Sequence, residues 1–208
     1  KSEYEMLVRP ESHRLIWIWI SALNLPFLVL AIIFTPPILP LLAAFTFFSV
    51  FYSRPPIRAK EVPFLDSIFN ILYVVPGAIG YQLVTGQFPP ANVIVAGGLW
   101  TAAMHAYSAI PDIEIDRKAK LDTIATKLGF TGAHFFCMAC YGAALLISIS
   151  FESGSAVGAL GFVYASIMRF SLTFEGSKSI FVIYRLFPAI NAVSGFLIFL
   201  YIAWPKLF

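Results

Sequence analysis

Long apolar runs alternate with short polar stretches along the whole chain. The runs are too long for strands and carry no period-two alternation, so they are read as helices. Seven are predicted, at Leu15–Phe34, Ile38–Tyr52, Ser67–Thr85, Ala91–Ile110, Thr131–Ser150, Ala156–Leu172 and Phe181–Ala203. A helix needs roughly 20 apolar residues to cross about 30 Å of hydrocarbon, and most of these runs supply that number. The second is short, with Pro36, Pro37 and Pro40 crowding its start. Interior Pro26, Pro76–Gly77 and Pro188 are tolerable in membrane helices where neighbouring groups satisfy the freed backbone. The predicted fold class is all-α: a multi-pass transmembrane bundle of about seven helices, in a single domain over residues 1–208.

Composition removes the soluble alternative. Of 208 residues, 59% are hydrophobic and only 12% charged, against about 25% charged in soluble domains. The mean hydropathy is +0.82. A net charge of +3 is too small to indicate a nucleic-acid partner. Cys137 and Cys140, three apart in an apolar run, read as small packing residues. The stretch Lys1–Arg14 lacks the apolar segment of a signal peptide, and a first residue of Lys suggests that the sequence starts inside a longer protein.

The positions of the charges carry more information than their sum. With seven spans, Lys1–Arg14, Ser53–Asp66, Pro111–Phe130 and Thr173–Ile180 fall on one side of the bilayer. That side holds Arg9, Arg14, Arg54, Arg58, Lys60, Arg117, Lys118, Lys120, Lys127 and Lys178, with Arg169 and Arg185 within about a turn of it. Lys206 is opposite. The positive-inside rule makes the charged face cytoplasmic and the protein a resident of the cell membrane.

Two segments on that face carry candidate chemistry. In Asp112-Ile113-Glu114-Ile115-Asp116, Pro111 suits the first position of a new helix, since its missing N–H would be unpaired there anyway. Asp112 and Asp116 then lie one turn apart on one face, about 6 Å along the axis, while Glu114 points elsewhere. Paired carboxylates are hard oxygen ligands that suit Mg²⁺ shared with substrate phosphates. Lys120 is expected on roughly the same face a turn further on, where a cation meets phosphate. The plain alternative is a solvated interfacial helix with Asp116 paired to Lys120. The second segment, Tyr52-Ser53-Arg54-Pro55-Pro56-Ile57-Arg58-Ala59-Lys60, holds three cations around a stiff Pro-Pro pair and leads to Asp66 and Asn70. It is read as a clamp for a diphosphate or, alternatively, as a topogenic loop beside anionic lipid. His105, Tyr107 and Ser108 stand near the cytoplasmic end of their helix, where they orient substrate or pack. Asn191 is a polar residue in the last span that needs a partner, and Arg185 either reaches phosphate or snorkels.

At these residues the chain resembles the UbiA-type intramembrane prenyltransferases. Asp112-x-x-x-Asp116 followed by Asp122-Thr123-Ile124-Ala125-Thr126-Lys127-Leu128-Gly129 is similar to their second aspartate motif. Tyr52-Ser53-x-Pro55-Pro56-x-Arg58-x-Lys60 is similar to a segment that precedes their fifth helix. Asp66-Ser67-Ile68-Phe69-Asn70 with Val75-Pro76-Gly77, and His105-Ala106-Tyr107-Ser108-Ala109-Ile110-Pro111-Asp112, look most like the lycopene elongase branch, which makes C50 carotenoids. The family has nine helices and an earlier motif, N-D-x-x-D-x-x-x-D, that this sequence does not contain. The seven spans correspond to helices three to nine, so the domain is expected to be N-terminally incomplete. Lys120 stands where many relatives have Gly.

The resemblance implies transfer of a dimethylallyl group from its diphosphate to lycopene, an enzyme activity doubtful for the truncated chain alone. Mg²⁺ is the implied cofactor, on Asp112 and Asp116 as metal ligands and catalytic residues. Arg54, Arg58, Lys60, Arg117 and Lys120 would bind diphosphate, and Tyr52, Asp66, Asn70, His105 and Tyr107 would line the substrate pocket. The implied partners are an allylic prenyl diphosphate, a lipophilic isoprenoid acceptor and membrane lipid. The alternatives are a chlorophyll-like ring, a glycerol-phosphate lipid or a quinone precursor as acceptor, or a non-enzymatic transporter or scaffold. The absence of an ionisable residue at mid-span argues against coupled ion transport.

Overall fold

The computed structural model describes residues 10–151, 154–174 and 177–207. Lys1–Arg9, Glu152, Ser153, Glu175, Gly176 and Phe208 lie outside the described residues, as do the side chains of Lys178 and Lys206 on which part of the charge asymmetry draws. Among the described residues all regular structure is helical. Helix α1 spans His13–Phe34 and α2 spans Leu39–Ser53, joined through a tight 3-10 turn at Pro36–Ile38. Prolines crowd that turn because the first positions of a helix need no N–H. The chain continues with α3 (Leu65–Ile68), α4 (Val75–Thr85), α5 (Ala91–Ala109), α6 (Ile113–Lys118), α7 (Ile124–Ser148), α8 (Gly154–Ser171) and α9 (Ser177–Leu207).

Two predicted spans differ in detail. The run Ser67–Thr85 is not one smooth helix: α3 tightens into a 3-10 stretch at Phe69–Tyr73 before α4 begins. Pro76 is the reason, since it cannot donate a hydrogen bond and its ring crowds the carbonyl of Leu72. Helix α7 begins at Ile124 rather than Thr131, but Gly129 breaks it with φ 69 and ψ −180. Ile124–Leu128 is thus a separate helical turn lying before the membrane stretch.

Six helical stretches among the described residues are long and apolar enough to cross a membrane, and Ala159–Ser171 in α8 is a shorter apolar helix. Large apolar side chains face outward on most of them, with Phe34 73% and Leu146 70% exposed. Such surface is stable only against lipid. The alternating helix directions are supported by cross-links at both ends. Asp66 Oδ2 accepts the Ile124 N–H and Tyr107 Oη bonds Ser171 Oγ at the charged end. Gln82 Nε2 donates to the Pro37 carbonyl, and Asn92 Nδ2 to Ser150 Oγ, at the other.

The main core lies where α5, α7, α8 and α9 meet. Ala103, Ala106 and Ala133 are fully buried there, and their small side chains let the helices approach closely. Tyr107, Tyr141 and Tyr164 fill the space left between them. Cys137 and Cys140 are buried and unbridged, as packing residues should be. Helix α1 stands apart: Ala31 is its one buried residue.

Candidate active site

The carboxylate segment has the expected start and an unexpected end. Pro111 sits inside a 3-10 turn, Ile110–Asp112, that joins α5 to α6. Asp112 occupies the position before α6 and is half-buried; Asp116, one turn on, is buried; Glu114 is exposed. The expectation for Lys120 is corrected. Helix α6 stops at Lys118, and Lys120 follows it with φ 56, in the left-handed region, so it does not continue the face of Asp112 and Asp116. Arg117 leans across the following loop, its Nη2 donating to the Thr126 carbonyl at 3.3 Å.

The basic segment leaves α2 at Ser53. Arg54 is exposed, and Lys60 is half-buried in the 3-10 turn Ala59–Glu61. Arg58 has φ 48, and its Nη2 pairs with Glu61 Oε1 at 2.5 Å. Its charge is therefore shared with a carboxylate three positions on.

Asp66 joins the two segments. It is fully buried, with Oδ1 accepting its neighbour's Ser67 N–H and Oδ2 accepting Ile124 N–H, both at 2.8 Å. Ile124 is the first residue of α7, whose end is also closed by a capping box between Thr123 and Thr126. The carboxylate thus anchors the loop that follows α6 onto α3. His105 Nε2 lies 3.9 Å from Asp66 Oδ2, and Tyr52 packs edge-on against the His105 ring at 6.1 Å.

A cavity of about 330 Å³ opens beside this group, lined by Asn70, Tyr73, Thr101, Met104, His105, Ser108, Tyr184, Phe187, Pro188 and Asn191. Of the expected pocket residues it includes Asn70 and His105; Tyr52 and Asp66 stand behind His105 instead. Tyr107 is turned the other way, fully buried, in a chain with Ser171 Oγ at 3.0 Å and on to His134 Nε2 at 2.8 Å. The two aspartates and the basic residues do not line the cavity. Asp112 follows its lining residue Ser108 by four positions, and the turn that carries Asp112 packs against α9. The i, i+4, i+7 spacing of Thr101, His105 and Ser108 was visible in the sequence as a polar stripe on α5; the contribution of α9 was not.

A second cavity of about 500 Å³ continues toward the other membrane face and shares Thr101, Met104 and Asn191 with the first. On α5 the lining runs from Val93 to Ser108, or about 22 Å of helix. On α9 it runs in one helical stripe through Tyr184, Phe187, Asn191, Gly195 and Ile198. Asn191 is held at the junction, its Oδ1 accepting from Tyr164 Oη and its Nδ2 facing Met104 Sδ at 3.7 Å.

The carboxylates suit a shared divalent ion. Among the described residues no cluster of three or more His, Cys, Asp or Glu could hold a metal alone. Mg²⁺ is typically bound by one or two carboxylates together with substrate phosphates and water, which a pair such as Asp112 and Asp116 provides.

The architecture is that of a multi-pass membrane helix bundle with a carboxylate pair at one end, and sequence comparison gives its family. The UbiA prenyltransferase family matches residues 9–179, and the chain belongs to that family. It is similar to a protein named lycopene elongase/hydratase from Haloarcula japonica, 42% identical over 80% of this chain and 55% of the relative. The protein of the same name from Haloferax volcanii is 38% identical over 79% of this chain and 54% of its own length. A protein named for C(50) β-cyclic carotenoid biosynthesis, from a Dietzia species, is 31% identical over 80% of this chain and 40% of its own length. The chain spans about half the length of the curated relatives it matches. No solved structure matches it.

Proposed function

We propose that the chain forms part of a lycopene elongase-like prenyltransferase, moving a dimethylallyl group from its diphosphate onto lycopene. The observation that carries this reading is the apolar slot between α5 and α9, which ends at Ser108 one turn before Asp112. A charged leaving group belongs at that end and a lipophilic acceptor behind it. The relatives' names supply the acceptor class.

Asp112 and Asp116 are proposed to hold Mg²⁺, which when bound supplies charge neutralisation for the departing diphosphate. Arg54 and Lys60 face that end of the bundle as cations for the released diphosphate, and Arg58 contributes to the extent that Glu61 yields it. The allylic C–O bond breaks, its electron pair leaving with the diphosphate. The π electrons of the polyene's terminal double bond form the new C–C bond, and the resulting tertiary cation takes water and loses a proton. The hydratase half of the relatives' name supports water capture. The apolar slot keeps bulk water from the first cation. A cell-membrane protein with this end cytoplasmic accounts for the clustering of Arg54, Arg58, Lys60 and Arg117.

The test is expression of the full-length gene in a lycopene-producing host, with mass analysis of the pigments. Heavier, hydroxylated carotenoids are expected. Asp112→Asn or Asp116→Asn should lower Mg²⁺-dependent diphosphate release roughly a hundredfold. Unaltered lycopene beside folded wild-type protein overturns the reading.

A further inference from the structure

The slot is longer than the donor needs. A dimethylallyl group is small and must sit at the Asp112 end, where its diphosphate meets the carboxylates. The first cavity alone, about 330 Å³, is large enough for it together with the reacting end of an acceptor. The remaining 500 Å³ lies beyond Asn191, lined by apolar and small residues and by no charged one. A second diphosphate or a charged lipid headgroup has no counter-charge there, and burying one would be prohibitive.

We propose that the distal cavity holds the unreacted far end of a linear polyene acceptor, threaded past Asn191, and that its depth selects acceptor length. The proposal rests on the prenyl-transfer reading above and deepens it. Three features fit a rod rather than a ring system. The lining follows helical stripes on α5 and α9 through both cavities, with α7 and α8 closing the distal one, so the space extends along the helix axes. Thr101, Met104 and Asn191 line both cavities, so the two adjoin at these side chains. Asn191 presents its amide N–H groups to that junction with a thioether, a weak acceptor, as partner. A π surface passing through is a natural alternative acceptor.

Gly195 is the residue by which the depth can be changed. It lines the distal cavity, and a Cβ added there meets no heavy atom within 4 Å. Side chains placed at this position start into open space at the edge of the cavity and not into a neighbouring helix. The experiment uses the full-length enzyme in membranes, with dimethylallyl diphosphate, and two acceptors: lycopene and a linear polyene about half as long with the same terminal group. Diphosphate release and product mass are read for wild type, Gly195→Ala, Gly195→Leu and Gly195→Phe, and for Ile198→Phe one turn further.

The ratio of rates on the full-length to the truncated acceptor is expected to fall stepwise with side-chain size, by roughly tenfold or more for Phe. Because both acceptors are measured in one preparation, a partly misfolded variant changes both rates and leaves the ratio alone. A ratio unchanged across the series overturns the threading proposal while leaving prenyl transfer intact. Wild-type protein that releases diphosphate to neither acceptor overturns the prenyl-transfer reading itself.

Discussion

A carboxylate inside an apolar bundle persists only if its oxygens are occupied, and Asp66 meets that demand with two backbone N–H groups. One belongs to its own turn; the other, on Ile124, belongs to a helix 58 positions away. Asp66→Ala leaves both donors buried without an acceptor, at a cost of about 1–3 kcal/mol each. Thermal unfolding in detergent should therefore shift clearly downward, and Asp66→Asn, which keeps an acceptor oxygen, should lose less. Equal stability of Asp66→Ala and wild type would remove the anchoring role. Lys120 carries a different kind of information. Its φ of 56 suits glycine, so Lys120→Gly should leave melting unchanged or higher while Lys120→Val lowers it. Comparable melting for the two variants would show that the turn after α6 is not held in that conformation.

At the scale of elements, breaks matter more than helices. The 3-10 turn at Pro111 separates α5 from the short helix that carries Asp116, and the break at Gly129 lets Ile124–Leu128 lie back toward α3 and α6. Gly129 has φ 69 with ψ near 180, a region open essentially to glycine alone. Its surroundings are not the obstacle, since an added Cβ would meet only Arg117 Nη2, at 3.8 Å. Gly129→Ala therefore loses stability through the backbone, by about 1–3 kcal/mol. It should also reduce diphosphate release, because the Arg117–Thr126 contact and the Asp66–Ile124 cap both lie within the displaced turn. Chemical denaturation and diphosphate assay on one preparation check this. A stable, fully active Gly129→Ala enzyme would show that the break is incidental.

On the scale of the whole molecule, polarity is segregated by the bilayer. Cations and carboxylates gather where α2, α3, α6 and α7 begin or end, and the slot between α5 and α9 runs from that end into the hydrocarbon. On the prenyl-transfer reading proposed above, this arrangement would put the ionic half of the reaction in reach of the aqueous face and the greasy half in the apolar space behind it. Outward-facing Phe and Leu on most helices leave the lipid to solvate the rest.

Hydrophobicity is additive along the chain, so the seven spans, their alternating direction and the face bearing Arg54, Arg58, Lys60 and Arg117 follow from sequence alone. The carboxylate pair was equally legible, because Asp112 and Asp116 are close in sequence and bound by one helical turn. What required tertiary structure was every relation between distant residues. That Asp66 caps α7, that Tyr107 turns to Ser171, and that α9 closes the slot opposite α5 are outcomes of packing. A helical pattern states which residues share a face. Only the neighbours, competing for the same volume and the same hydrogen-bonding groups, decide what that face meets.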